Sequence, residues 1–410
     1  MIPEGWRLCT LSELAVVERG KFSARPRNDP RYYGGETPFV QTGDVSSSGT
    51  YLERFSQTLN ADGVKVSKVF GKGSILLTIA ANIGETAIAS FDVACPDSVV
   101  AVQPIDGEVN TFWLKVVLET KRRYMDEMAA QNAQKNINLQ VLKPLEILTP
   151  PLVEQDKVAA ILSAWDEAVI ITERLIEANQ QQRNALSQQL LTGKRRLPGF
   201  VEEWQLVKMG DIAKRVSEKN NGQSNNVVTI SGKRGLIRQT DFFNKSVASE
   251  TLDGYTLLRK GQFAYNKSYS DGYPMGAIKR LNLYDDAVVT SLYICFEVQA
   301  ADACEEFMEH YFESGVLNRG LKKVAAEGGR AHGLLNVKPS DFFDLRLSLP
   351  PKEEQKAIAK VLSHADAEIE AQQRRLDCLR QEKKALMQQL LTGKRRVKVE
   401  ATALTEEAAC

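Results

Sequence analysis

The sequence predicts an α+β protein in which two globular modules alternate with a pair of long coiled-coil helices. Three observations lead there. A stretch of chain recurs at an offset of 200 residues, that stretch carries apolar residues at a period of about 3.5, and the intervening segments hold short strand-like runs punctuated by glycine.

The repeat comes first. Residues 151–197 open PLVEQDKVAAILSAWDEAV and close ALSQQLLTGKRRL, while residues 351–397 open PKEEQKAIAKVLSHADAEI and close ALMQQLLTGKRRV. Aligned without a gap, 20 of these 47 positions are identical, including the unbroken run QQLLTGKRR. A fainter echo precedes each module: Pro3-Glu4-Gly5-Trp6 before Leu11-Ser12-Glu13-Leu14, and Val201-Glu202-Glu203-Trp204 before Met209-Gly210-Asp211-Ile212. The expected order is a first module (1–150), a central arm (151–197), a second module (198–350), a C-terminal arm (351–396) and a disordered tail (397–410).

Each arm reads as one helix. Val158, Leu162, Trp165, Val169, Thr172, Ile176, Asn179, Arg183, Leu186 and Leu190 alternate spacings of four and three, and so do Ile358, Leu362, Ala365, Ile369, Gln372, Leu376, Leu379, Lys383, Leu386 and Leu390. That period is the seam of a coiled coil. Neither Pro nor Gly interrupts Glu154 to Thr192 or Glu354 to Thr392. Pro150-Pro151 and Pro350-Pro351 mark the starts, and Gly193 and Gly393 stand where a helix stops. A helix of about 36 residues is roughly 54 Å long. A stripe of that length needs a partner of similar length, and the second copy supplies one; pairing between chains is the rival arrangement.

The modules share a skeleton more than a surface. Gly71-Lys72-Gly73 before Ser74-Ile75-Leu76-Leu77 matches Arg259-Lys260-Gly261 before Gln262-Phe263-Ala264-Tyr265, and further strands are expected at Ser98 to Val102 and Ser291 to Phe296. Helices follow at about 111–129 and 303–325, and a polar loop then leads back to the arm in each module. A common skeleton with different loops suits two recognition modules with different targets.

Composition narrows the class. Apolar residues make up 43% of 410, enough for two cores of about 150 residues each. The six Cys, at 9, 95, 295, 304, 378 and 410, form no C-x-x-C pair, so a reducing compartment is expected. No run of 18 apolar residues and no basic-then-apolar leader is present, which places the protein in the cytoplasm. The 53 basic and 52 acidic residues balance, and a nucleic-acid partner would therefore depend on local placement of cations.

With its P-x-x-E-Q arm starts (Pro151 to Gln155, Pro351 to Gln355), its L-L-T-G-K-R-R arm ends and its G-F-x-x-x-W opening of the second module, the chain resembles the specificity subunits of bacterial Type I restriction-modification systems up to about residue 396. The resemblance implies two target-recognition domains, each reading one half of a split, asymmetric site on double-stranded DNA. It implies arms that pack antiparallel and dock two modification (methyltransferase) subunits, with ATP-dependent restriction subunits completing the complex. Adenine methylation and cleavage then belong to the partners, and the chain itself needs no cofactor and no metal. Half-sites one turn apart have centres roughly 34–36 Å apart, within the reach of arms roughly 54 Å long.

Candidate DNA contacts follow from residue type. Lys21, Arg25 and Arg27 lie in a basic loop with Arg19 and Arg31, suited to phosphate. Gln134 and Lys135, and Arg330 and His332, occupy matching loops beside the arms. Tyr265, Asn266, Lys267 and Tyr269 form a polar run after a strand, with Thr78 and Asn82 at the comparable place in the first module; Asn pairs with adenine and Lys donates to guanine. The seam residues Leu162, Trp165, Val169, Ile176, Leu186, Leu190, Leu362, Ile369, Leu376, Leu379, Leu386 and Leu390 are expected to hold the arms together and to serve partner docking.

Enzyme signatures are weak. Pro96-Asp97 with Glu119-Thr120-Lys121 spells the loose P-D…E-x-K of nucleases, yet Glu119 falls in an apparent helix where a strand is needed. The Thr-Gly-Lys of each arm lacks the glycine loop that cradles phosphate, and G-x-G-x-x-G, H-E-x-x-H and Cys/His clusters are missing. A binding protein fits best. The alternative is a scaffold whose arms dimerise between chains and whose modules bind protein.

Overall fold

In a computed structural model of the chain, residues 2–130, 136–232, 234–242, 251–270, 272–299, 301, 303–325 and 335–398 are described. The chain divides into two compact units, residues 1–172 with 375–410, and residues 173–374. The division falls inside both arms. Each unit thus combines a module, the start of the arm that follows it, and the end of the other arm.

In the first unit, Ala15–Arg19, Val99–Pro104, Ile75–Thr78, Thr86–Ala89 and Tyr51–Leu52 form a five-stranded sheet in that order. Its central strands are apolar on both faces, because both faces are covered. Ile75, Leu77, Val100 and Val102 pack with Trp113, Val116 and the arm residues Val158, Leu162 and Leu390. On the opposite face Leu76, Val99 and Ala101 pack with Val40, Phe70 and Val93. A smaller sheet runs Gln57–Leu59, Tyr33–Phe39, Val93–Ala94, Val69–Phe70.

The second unit repeats the first four strands in the same order: Ala213–Val216, Ile294–Val298, Phe263–Asn266, Ala277–Arg280. Here Phe263, Phe296, Phe307 and Phe312 build the core with Leu190, Ile358 and Leu362, and Phe263 stacks on Phe296 at 5.3 Å between ring centres. The long helix expected in each module is two. Thr111–Thr120 is followed by Arg122–Ala130, and Glu305–Glu313 by Asn318–Ala325. Gly315, at φ 75°, turns the chain in the second module. In the first, the break at Lys121 falls where an apolar sequence gives way to a charged one.

Each arm is a 39-residue helix, Leu152–Leu190 and Lys352–Leu390. Both begin directly after the proline pairs that mark the expected starts, with Leu152 and Lys352 following Pro151 and Pro351. Within each unit the two arm segments run antiparallel. In the first, moving from Glu154 to Asp166 carries the ion-pair partner from Arg396 back to Lys383. In the second, moving from Arg183 to Arg196 carries it from Asp366 back to Glu354. The described residues continue to Lys398, beyond the expected start of the tail. Val397 packs on the first unit's core, and the Lys398 carbonyl accepts from Lys157 Nζ at 2.8 Å. The remainder of the tail, from residue 399, lies outside the described residues.

The repeated motifs have structural work in both copies. Gln155 donates to the Pro150 carbonyl at 3.0 Å and accepts the Asn110 N–H at 2.9 Å; Gln355 does the same for Pro350 and Cys304, at 2.9 and 2.8 Å. Glu354 is fully buried and receives both ends of the Arg196 guanidinium at 2.6 Å. Glu154 receives Arg396 at 2.7 and 2.8 Å and the Trp6 indole N–H at 2.9 Å. Each bidentate pair locks the end of one arm to the start of the other, and loss of either arginine would leave a buried carboxylate without its cation. The glycines of the T-G-K-R-R turn sit at φ 70° and 67°, which lets the chain reverse and return its arginine to that carboxylate.

Among the described residues, Cys9, Cys95, Cys295, Cys304 and Cys378 are free thiols, and the first four are buried. No helix among them is long and apolar enough to cross a membrane.

Candidate nucleic-acid interface

In each unit the third strand of the large sheet ends in a polar loop, and the segment returning to the arm is stitched to that loop. In the first unit Ala80 pairs with Asn136, and the Ile137 N–H donates to the Ile79 carbonyl at 3.0 Å. In the second, the Leu335 N–H donates to the Lys267 carbonyl at 2.9 Å. The loops that differ in sequence are thus held in corresponding places by one shared framework.

The residues singled out from sequence fare differently. Thr78 is fully buried; its hydroxyl donates to the Asn82 carbonyl and accepts the Glu85 N–H at 3.0 Å, which closes the turn and leaves nothing to offer DNA. Tyr265 is a core residue as well. It stacks on Phe342 at 5.2 Å and donates to the Met275 carbonyl at 2.8 Å. Both lie within a strand, where side chains alternate between two covered faces, and neither side chain reaches the surface. Asn82 is exposed, with its amide 3.2 Å from the Ser46 hydroxyl. Beside it Ala81 holds φ 60°, a left-handed conformation that costs energy for a residue with a Cβ.

In the second unit Asn266 turns inward to accept the Ser268 N–H at 3.0 Å. Lys267 donates to the Val337 carbonyl at 3.4 Å, and burial lowers its pKa. Tyr269 is 64% exposed. Gln134, Lys135, Arg330 and His332 lie outside the described residues.

The basic loop is partly spent on itself. Arg25 folds back onto the Phe22 and Ala24 carbonyls, at 3.3 and 2.7 Å. Arg27 pairs with Asp97 at 2.9 Å, and Arg31 with Asp29 at 3.0 Å while lying 4.7 Å over the Tyr32 ring. Lys21 remains exposed. The same pair removes the nuclease spelling: Asp97 holds Arg27, and Glu119 holds Lys115 within a helix at 2.6 Å.

A stronger cationic surface escaped the sequence reading. On Asn318–Ala325, Arg319, Lys322 and Lys323 are exposed, carry no acidic partner among the described residues, and share a face at i, i+3 and i+4. The signal was present in N-R-G-L-K-K-V-A, hidden by the assumption that one helix ran through it. The equivalent helix of the first unit carries Arg122 and Arg123, paired with Glu85 at 2.7 Å and Glu127 at 2.8 Å.

In the arms, Leu162, Ile176, Leu190, Leu362, Leu376 and Leu390 are buried, and Trp165, Val169, Leu186, Ile369, Leu379 and Leu386 half-buried. The buried set is consumed by arm packing, so any docking falls to the faces that flank it. Tied to that packing, His310 lies 2.9 Å from the Ser363 hydroxyl and 3.7 Å from Asp366, itself paired with Arg183 at 2.8 Å.

Unlike loops on a repeated frame, exposed cations without partners, and duplicated arms define a bipartite binding scaffold. The family model for the Type I restriction modification DNA specificity domain matches residues 3–180 and again 201–379, and the chain belongs to that family. It is a non-catalytic, DNA-binding specificity subunit. The type I restriction enzyme MjaVIII specificity subunit of Methanocaldococcus jannaschii is 22% identical over 428 residues, covering 97% of this chain and 94% of that one. The same fold occurs in the Type I restriction-modification S subunit of M. genitalium, with TM-score 0.58, 16% identity and 97% of each chain covered. It occurs too in the HsdS subunit of Thermoanaerobacter tengcongensis, with TM-score 0.53, 17% identity, and 96% and 98% covered.

Proposed function

We propose that each module reads one half of a split, asymmetric DNA target, and that the arms dock two copies of one modification subunit. The restriction subunits join through that complex in the cytoplasm. Reading in the first module falls to the loop carrying Asn82, with Lys21 on the backbone. In the second it falls to Tyr269 and to the phosphate-facing cations Arg319, Lys322 and Lys323.

One observation carries this: what the duplication kept and what it changed. At exposed arm positions Gln181, Ala185, Gln188, Gln189, Lys194 and Arg195 equal Gln381, Ala385, Gln388, Gln389, Lys394 and Arg395. Packing does not require identity on an exposed face, so the same partner surface met twice is its physical explanation. The module loops, by contrast, share no such residues, as two different half-sites would demand.

The test is a module exchange. Replacing residues 198–350 with the matching segment of another specificity subunit should alter one half of the methylated sequence and leave the other intact. Methylome sequencing reads the outcome. A folded, active chimera with both halves changed would refute independent reading.

A further inference from the structure

We propose that the two docking faces are unequal, and that the first partner copy binds in a groove of the first unit. This rests on the two-copy docking reading above. The groove, about 1060 Å³, lies between the start of the first arm and the end of the second. Ile161, Trp165 and Leu386 supply its apolar floor, and Ala160 stands exposed on its wall. Its rim is cationic. Lys157, Arg395 and Lys398 border it against the single carboxylate of Glu382, and Arg395 is exposed with no side-chain partner among the described residues.

A furrow between two antiparallel helices accepts a third helix along its length. Charge and apolarity together define the occupant as an amphipathic helix of the modification subunit, with an apolar stripe flanked by carboxylates. A basic or fully polar helix would leave the floor wet and the rim cations opposed.

The 200-residue offset shows what the second unit offers instead. Gln189 and Arg195 reproduce Gln389 and Arg395, so the shared part of the contact is retained. Lys157 becomes Ala357, Ala160 becomes Lys360, Trp165 becomes Ala365, and Glu382 becomes Gln182. Lys398 likewise becomes Pro198, so the second face lacks the aromatic anchor and two of the three rim cations, and it presents a lysine where the first has a small apolar wall. An indole anchor in a pocket is the kind of residue that dominates an interface, and a lysine ammonium facing an apolar stripe must be desolvated or displaced. Both differences favour the first unit.

The experiment titrates the full chain with the modification subunit of the same system, followed by native mass spectrometry and calorimetry. Two binding steps are expected, the first at least about tenfold tighter than the second. Ala160→Lys makes the first face resemble the second; the residue is exposed and lysine is a good helix former, so folding is retained and thermal melting checks it. It should abolish the tight step and leave two weak ones. Lys360→Ala should tighten the second step several-fold and leave the first unchanged. Two equal steps in the parent chain, or a tight step insensitive to Ala160→Lys, would overturn the inequality while docking itself stood. Absence of any complex would remove both.

Discussion

His310 shows how one side chain couples a module to the arms within the second unit, and why its chemistry is readable in solution. Burial pushes its pKa below the ordinary 6.5, Asp366 pulls the other way, and Arg183 adds to the lowering. The folded chain therefore holds the imidazole neutral where the unfolded chain already takes up a proton. Acidification stabilises the unfolded state first, so the contribution is complete above about pH 6.5 and falls as the pH drops below it. Gln at this position keeps a polar group near the Ser363 hydroxyl but does not titrate. The difference in urea midpoint between about pH 7.5 and about pH 5.5 should consequently be smaller in His310→Gln than in the parent. Equal differences in the two proteins would assign the pH dependence elsewhere; Glu309 is not that source, because burial raises its pKa and acidification there favours the folded state.

The arms were legible in the sequence almost to the residue because a long helix with one apolar stripe leaves a periodic record that no tertiary contact rewrites. Every seam position from Val158 to Leu190 is buried or half-buried, and so is every one from Ile358 to Leu390. The modules were less legible for a physical reason. Tyr265 and Thr78 look like polar readers beside loops, but a strand covered on both faces buries hydroxyls wherever a carbonyl is in reach, and composition cannot show that carbonyl. Arg25 and Arg27 likewise read as free cations until the chain brought the Ala24 carbonyl and Asp97 to them. Arg319, Lys322 and Lys323 were missed because their face exists only once the helix restarts after Gly315. The arm ends give the matching test of packing. Leu190 is buried in the second unit's core and Leu390 in the first's, so Leu190→Ala and Leu390→Ala should each cost about 2–5 kcal/mol. Gln188→Ala, two residues away on the exposed face, should stay within about 0.5 kcal/mol. Urea unfolding of the three variants decides it, and equal small losses would mean that the leucines do not anchor the arms.

At the scale of the whole chain, each unit closes the same joint, but only one joint is covalently continuous. In the second unit Arg196 reaches back to Glu354 and lies 5.9 Å over the Trp204 ring, and the chain runs unbroken from that arginine to that tryptophan. In the first unit Arg396 reaches Glu154 and lies 5.6 Å over Trp6, while Pro3 meets Gly393; arginine and tryptophan here belong to opposite ends of the sequence. Seven residues separate Arg196 from Trp204. Fusing Lys398 directly to Met1 also places seven residues between Arg396 and Trp6. The chain can therefore be closed at the first joint without a designed linker and reopened at the second, after Pro198. Loop closure changes stability only weakly with connectivity when the joined ends already meet, so this permuted chain should fold with a melting temperature within a few degrees of the parent. It should bind the same target in complex with the modification subunit, because no reading loop or arm face is altered. Thermal melting and methylation of the parental site are the measurements. A permuted chain that unfolds, while the parent truncated after Lys398 does not, would show that the open second joint needs its covalent link and that the two joints are not interchangeable.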